Sequence, residues 1–173
     1  VSYCATCDGP FFKGKRIFVV GGGDAACDEA MFLAKLSDKV VMVHRRERFR
    51  AQRALAERVL RNPNIEVRFN TTIEAIVGTG KVQGVVLEDV MTKARHEEQA
   101  DAVFIFVGSV PQTSLVQAAG EGKIRVKLDD GGFIVTDGRM ATSEPGIFAA
   151  GDVRATPFRQ VVTACADGAI AAH

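Results

Sequence analysis

Lys15-Arg16-Ile17-Phe18-Val19-Val20-Gly21-Gly22-Gly23-Asp24-Ala25-Ala26 is the stretch that decides the fold. Residues 15–20 are a short apolar run, the pattern of a strand buried on both faces of a parallel sheet. The run stops at three glycines, which read as a tight turn. Residues 24–36 are strong helix formers, with the acid Asp24 in the first turn. Residues 39–44 (Lys-Val-Val-Met-Val-His) are a second apolar run. Strand, glycine turn, helix and strand make a βαβ unit of the length a dinucleotide fold needs. Within it, Gly21-x-Gly23-x-x-Ala26 gives each position a task. Gly21 allows the sharp turn, Gly23 lets the backbone approach a pyrophosphate, and Ala26 permits close helix–strand packing. The helix N-terminus then faces the phosphate.

The end of the second strand selects the nucleotide. Folds that prefer NAD carry an acid there for the ribose 2′-hydroxyl. This chain has His44-Arg45-Arg46 instead, with Arg50 a turn onward. Guanidinium forks suit a phosphate, and the 2′-phosphate of NADPH is the natural ligand. Residues 44–61 hold seven arginines against two glutamates. A nucleic-acid surface is disfavoured, because aromatic interleaving is sparse and the net charge is only +1. Arg53, Arg58 and Arg61 read as surface residues.

Cys4-Ala5-Thr6-Cys7 precedes the βαβ unit. This spacing brings two sulfurs within disulfide reach at a helix start, where exposed N–H groups favour a thiolate. Asp8 follows directly and can deliver or remove a proton. A zinc half-site would need a second ligand pair, and neither Cys27, Cys165 nor the three histidines supply one at ligand spacing. Cys27 and Cys165 are expected to pack as small apolar side chains. Irregular cysteine spacing in a chain of 173 residues, 47% of them hydrophobic, favours a reducing compartment with one special pair.

Further along, residues 51–61 predict a basic amphipathic helix. Strands are expected at 65–69, 72–77, 82–89 and 95–99, as an antiparallel meander capping the parallel sheet. Another apolar strand spans 102–107 and ends at Gly108. Residues 114–127 read as irregular, 132–136 as one strand, 147–150 as a short apolar run reaching Gly151-Asp152, and 155–173 as ending in an alanine-rich helix. The segment 113–173 has too few apolar elements for its own core and is expected to be part of a second domain. No apolar run approaches the roughly 20 residues of a membrane span. Both chain ends read as cuts in a longer polypeptide.

Together these residues resemble the low-molecular-weight thioredoxin reductase family. The motifs are Cys4-Ala5-Thr6-Cys7-Asp8-Gly9, Gly21-Gly22-Gly23-Asp24-Ala25-Ala26, His44-Arg45-Arg46-Glu47-Arg48-Phe49-Arg50-Ala51, and Phe148-Ala149-Ala150-Gly151-Asp152-Val153 with Arg159-Gln160. They stand in family order over nearly the whole chain. Gly108-Ser109-Val110-Pro111-Gln112-Thr113 is a looser version of the family's Gly-x-x-Pro-Asn-Thr. The resemblance implies an α/β fold: a Rossmann-like parallel sheet with an antiparallel meander in an NADPH domain (1–112), and part of an FAD domain (113–173). It implies Cys4, Cys7 and Asp8 as catalytic groups, with Cys7 nearer the flavin. It implies Gly21, Gly23, Asp24, Ala25, Ala26, His44, Arg45, Arg46, Arg50 and Gly108 toward NADPH, and Gly151, Asp152, Arg159 and Gln160 toward FAD. Electrons would pass from NADPH through FAD and the dithiol to thioredoxin, in a cytoplasmic homodimer with no nucleic-acid or membrane partner. This chain alone would hold FAD weakly and be inactive. The flavoprotein component of an alkyl hydroperoxide reductase system shares the motifs, and a non-catalytic nucleotide-binding or redox-sensing module is the rival from another class.

Overall fold

The computed structural model describes residues 1–117 and 126–173. The chain divides into two compact units, Val1–Val107 and Gly108–His173. The first begins with a single helical turn, α1 (Ala5–Asp8), continued by a 3-10 turn over Gly9–Phe12. The βαβ unit follows as β1 (Ile17–Gly21), α2 (Asp24–Leu33) and β2 (Val40–Val43). Next come α3 (Arg53–Leu60), β3 (Ile65–Arg68), β4 (Thr71–Val77), β5 (Gly84–Asp89), β6 (Arg95–Gln99) and β7 (Ala102–Phe106).

The strands form two sheets. One is parallel, in the order β3-β2-β1-β7, and the other is the antiparallel meander β4-β5-β6. The sequence reading placed β3 with the meander, and the structure corrects this. β3 returns from α3 through Asn62-Pro63-Asn64 and runs in the same direction as β2, with Ile65 beside Val40. A helical crossover brings a strand back parallel, as two-residue hairpins cannot.

Alternation along each parallel strand assigns its side chains to two faces. Ile17, Val19, Val40, Met42 and Phe104 pack with Ala26, Ala30 and Leu33 of α2 and Val59 of α3. Phe18, Val41, Val43 and Val103 point the other way, onto Val85 and Leu87 of the meander. Cover on both faces is why these strands are apolar throughout rather than alternating.

Where the two sheets meet, charge does the joining. Glu98 of β6 accepts from Arg16 at 2.6 Å, from Arg68 of β3, and pairs with His96 Nε2 at 3.0 Å. Arg68 also donates to Glu66 at 2.6 Å. The hydrogen bond from Arg68, against a smaller opposing effect of burial, holds the Glu98 carboxyl down to about 2.

In the second unit, α4 (Ser114–Gln117) replaces the start of the segment expected to be irregular, and 118–125 of that segment lie outside the described residues. The expected strand 132–136 is reduced to single bridges, Ile134 with Leu128 and with Arg154. The run 147–150 likewise pairs only through Phe148 with Ala141. Val126, Ile134 and Ala149 form a small buried cluster, flanked by Leu128, Ile147 and Val153. A modest core therefore exists where the composition predicted none. The closing helix α5 (Val161–Ala171) buries none of its residues.

Replacing Glu98 with Gln leaves Arg16 and Arg68 without a charged acceptor. Chemical denaturation at neutral pH should show a loss of roughly 1.5–3 kcal/mol. Because the folded carboxyl titrates below its ordinary value of 4.5, its contribution is full above that value. The gap between wild type and E98Q should therefore close as pH falls from about 4.5 to about 2.

Candidate functional site

The glycine turn is tight because three of its neighbours leave no alternative. Gly21 has φ +149°, and a Cβ there would stand 2.5 Å from the Phe106 carbonyl oxygen and 2.6 Å from Ala26 Cβ. Gly22 lies on the His44 ring, whose atoms would be 2.4–2.6 Å from an added Cβ. Gly23 differs: it caps α2, and a Cβ there would meet nothing within 4 Å. The outer side of the turn is open to a ligand, and the N-terminus of a ten-residue helix points into it. Ala25, exposed, follows in the first turn of α2.

His44 ends β2. Its backbone bridges two strands, its N–H donating to Arg68 O at 2.9 Å and its carbonyl accepting from Thr71 N at 3.1 Å. The residue is 7% exposed, and its Nε2 is buried without a hydrogen-bond partner among the described residues. Burial, then the charges of Arg50 and Arg46, hold its pKa below the usual 6.5. The imidazole is thus a neutral support beneath the glycine turn with one polar atom to spare.

Residues 45–51 form a basic loop tied to that turn. Arg50 N and Ala51 N both donate to the Gly22 carbonyl, at 2.7 and 3.2 Å. Gln52 N donates to Asp24 Oδ1 at 2.7 Å. Phe49 fills the space between His44 and Phe69, with ring centroids 6.0 and 4.9 Å away. A cleft of about 440 Å³ runs along Gly21, Gly22, His44, Arg45, Arg50 and Thr72. Arg46 instead opens onto an adjoining cleft of about 740 Å³ with Arg48 and Arg53, and Arg50 borders both. Arg45, Arg46 and Arg50 form no ion pair among the described residues. So many uncompensated charges in one loop repel one another unless an anion joins them.

The cysteine pair lies just before the segment that packs on α2, two residues past the bridge of Ser2 to Phe104. Cys4 and Cys7 are joined as a disulfide. Cys4 caps α1, and Cys7 N donates to its Sγ at 3.2 Å. Cys4 is half-buried, Cys7 is exposed, and Asp8 is partly covered. Ser2 anchors the pair: its backbone bridges to β7 beside Phe104, and its Oγ accepts from Cys4 N at 3.1 Å. Behind α1, a Cβ on Gly9 would stand 3.0 Å from Leu33 and 3.2 Å from Leu36. The first turn is therefore pressed against α2, the helix that begins at the glycine turn. Of the other cysteines, Cys27 is buried, but Cys165 is exposed and does not pack as expected. α5 meets the Gly151–Val153 turn through Ala164 and Asp167, and Cys165 lies off that face.

In the second unit, Gly108 opens the chain with φ +100°. Gly151 is buried at the start of a 3-10 turn, Gly151–Val153, and donates to Asp167 Oδ2 at 3.1 Å. Arg159 Nε reaches the Asp152 carbonyl at 3.4 Å, and its guanidinium lies 4.1 Å from the Phe133 ring centroid. Gln160 caps α5 in a reciprocal box with Thr163. Asp152, Arg159 and Gln160 thus gather near the start of α5, beside exposed Val161 and Val162.

A family model described as pyridine nucleotide-disulphide oxidoreductase matches residues 1–168. The chain belongs to this family. Among curated relatives, it is 57% identical to a thioredoxin reductase of Treponema pallidum over the whole of this chain and 54% of that one. It is 47% identical to a thioredoxin reductase of Listeria monocytogenes, over 99% of this chain and 52% of that one. The solved thioredoxin reductase of Streptococcus pyogenes superposes with TM-score 0.84 at 43% identity, covering 98% of this chain and 54% of that one. That of Lactococcus lactis, in a conformation labelled FR, gives 0.72 at 41%, over 99% and 55%. The chain spans about half the length of the curated relatives it matches.

Three contributors to this candidate site were not singled out from sequence: Ser2, Gly22 and Gln52. Gly22 left a signal, since a turn that needs two glycines has three. Ser2 and Gln52 left none, because their roles depend on strands and loops distant in the chain. Gly22→Ala should cost roughly 1–3 kcal/mol by overpacking against His44, measured by urea unfolding. Combining it with His44→Ala should cost less than the sum of the single changes.

Proposed function

We propose that this chain carries the NADPH-binding module and the redox dithiol of a thioredoxin-disulfide reductase. The observation that carries the reading is one compact unit holding both a Cys4–Cys7 disulfide and a glycine turn faced by unpaired arginines. The residues suit the nucleotide. Gly23 is open, α2 offers its N-terminus to a pyrophosphate, Arg45 and Arg50 border the same cleft, and His44 has a free buried nitrogen. Gly151, Asp152, Arg159 and Gln160, with the exposed valines of α5, suit a cofactor with a polar chain and a flat apolar ring, as FAD has. When bound, that flavin would supply the two-electron relay between nicotinamide and disulfide. In net terms, NADPH, one proton and a protein disulfide give NADP⁺ and a protein dithiol. At the dithiol, one cysteine thiolate attacks the partner's disulfide, and the second attacks the resulting mixed disulfide. The departing partner thiolate takes a proton, and Asp8, next in sequence to Cys7, is the residue that would deliver it. A thioredoxin-type partner, a homodimeric parent and a cytoplasmic setting complete the reading.

Two measurements test it on the full-length enzyme. Changing Arg45 and Arg46 to Ala should weaken NADPH binding by about tenfold or more and leave NADH binding nearly unchanged. Equal losses for both would overturn the 2′-phosphate assignment. Asp8→Asn should slow dithiol turnover by about 10²-fold while sparing NADPH affinity. Unchanged turnover would remove Asp8 from proton transfer.

A further inference from the structure

Asp24 is the first residue of α2, at the helix end that faces a pyrophosphate in the reading above. A carboxylate there ought to be a handicap, since it would set a negative charge against the phosphates. The structure turns it elsewhere. Asp24 Oδ1 accepts from Gln52 N at 2.7 Å, and Oδ2 lies 3.4 Å from Gln52 Nε2. Gln52 is the N-cap of α3, and its own side chain caps nothing. One carboxylate therefore starts α2 and caps α3 across a separation of 28 residues.

The consequence falls on the basic loop between them. Residues 45–51 have no regular structure. At their start they are held by His44, and in the middle by Asn70 N donating to Arg46 O at 3.2 Å. At their end, Arg50 N and Ala51 N bond to the Gly22 carbonyl. Among the described bonds that join the start of α2 and its glycine turn to the loop, only the Asp24–Gln52 pair uses a side chain of Asp24's segment. From this geometry we infer that Asp24 is a positioning residue for nucleotide specificity. It touches no 2′-phosphate, but its bond to Gln52 fixes the path of the loop that presents Arg45 and Arg50.

This inference rests on the NADPH reading, and the experiment separates the two. The quantity measured is the ratio of NADH to NADPH dissociation constants for the full-length enzyme. Asp24→Ala breaks the latch but leaves the Gly22 carbonyl bonds in place. The bond is solvent-exposed, so the ratio should fall by about three- to tenfold, through weaker NADPH binding. Asp24→Asn keeps an oxygen acceptor for Gln52 N and should retain the ratio. Gln52→Pro removes the donor from the other side, and Gln52 already has φ −52°, within the range of proline. It should match Asp24→Ala, and the two together should be no worse than either alone. A purely structural role would weaken both nucleotides equally, lower Tm and leave the ratio unmoved, and that result overturns the inference. If wild type does not discriminate, or Arg45→Ala leaves the ratio intact, the NADPH reading itself fails. If Arg45→Ala collapses the ratio and Asp24→Ala does not, only the latch fails.

Discussion

The carbonyl of Gly22 accepts two backbone N–H groups, from Arg50 and Ala51, while the ring of His44 fills the space where a Gly22 side chain would be. The arrangement around the glycine turn depends on this contact. It makes the turn after β1 and the loop after β2 one object, although their sequences lie some distance apart. A loop of arginines with no counter-ion would otherwise spread away from itself. Bonded to the turn, it cannot, and its charges are held ready along a cleft. The buried neutral imidazole suits this task, because a charged ring there would add one more cation to the same repulsion.

From the same turn, α2 carries the constraint to the dithiol. Its N-terminus belongs to the glycine turn, and its C-terminal side chain Leu33 meets Gly9 behind the disulfide. Ser2, by joining β7, fastens the dithiol to the sheet that also ends at Phe106 against Gly21. Glycine turn and disulfide are thus both fastened to the same sheet, through β7. Buried apolar contacts, not local propensity, hold α1 in place, since four residues cannot keep a helix by themselves.

Much of this was legible in the sequence. The apolar runs, the three glycines and the basic triplet are local patterns, and the βαβ unit followed from their order. The readings that failed had a common cause. β3 and the meander strands share the same extended composition, so only the crossover through α3 could separate them. Strand 132–136 reads as extended but found no neighbour long enough to pair with. Cys165 looks like a small apolar residue, yet sits on the exposed side of a helix that covers only one of its faces.

The sequence by itself determined the parallel fold, the dithiol spacing and the kind of ligand its arginines suit, because each is a matter of periodicity or of residue type at short range. Only the tertiary structure decided how those residues are used. It laid the His44 ring beneath Gly22, set Arg46 on a different cleft from Arg45, and turned Asp24 toward Gln52. These outcomes depend on which atoms meet across the fold, and a hydrogen bond between residues 24 and 52 leaves no mark on the pattern of either segment.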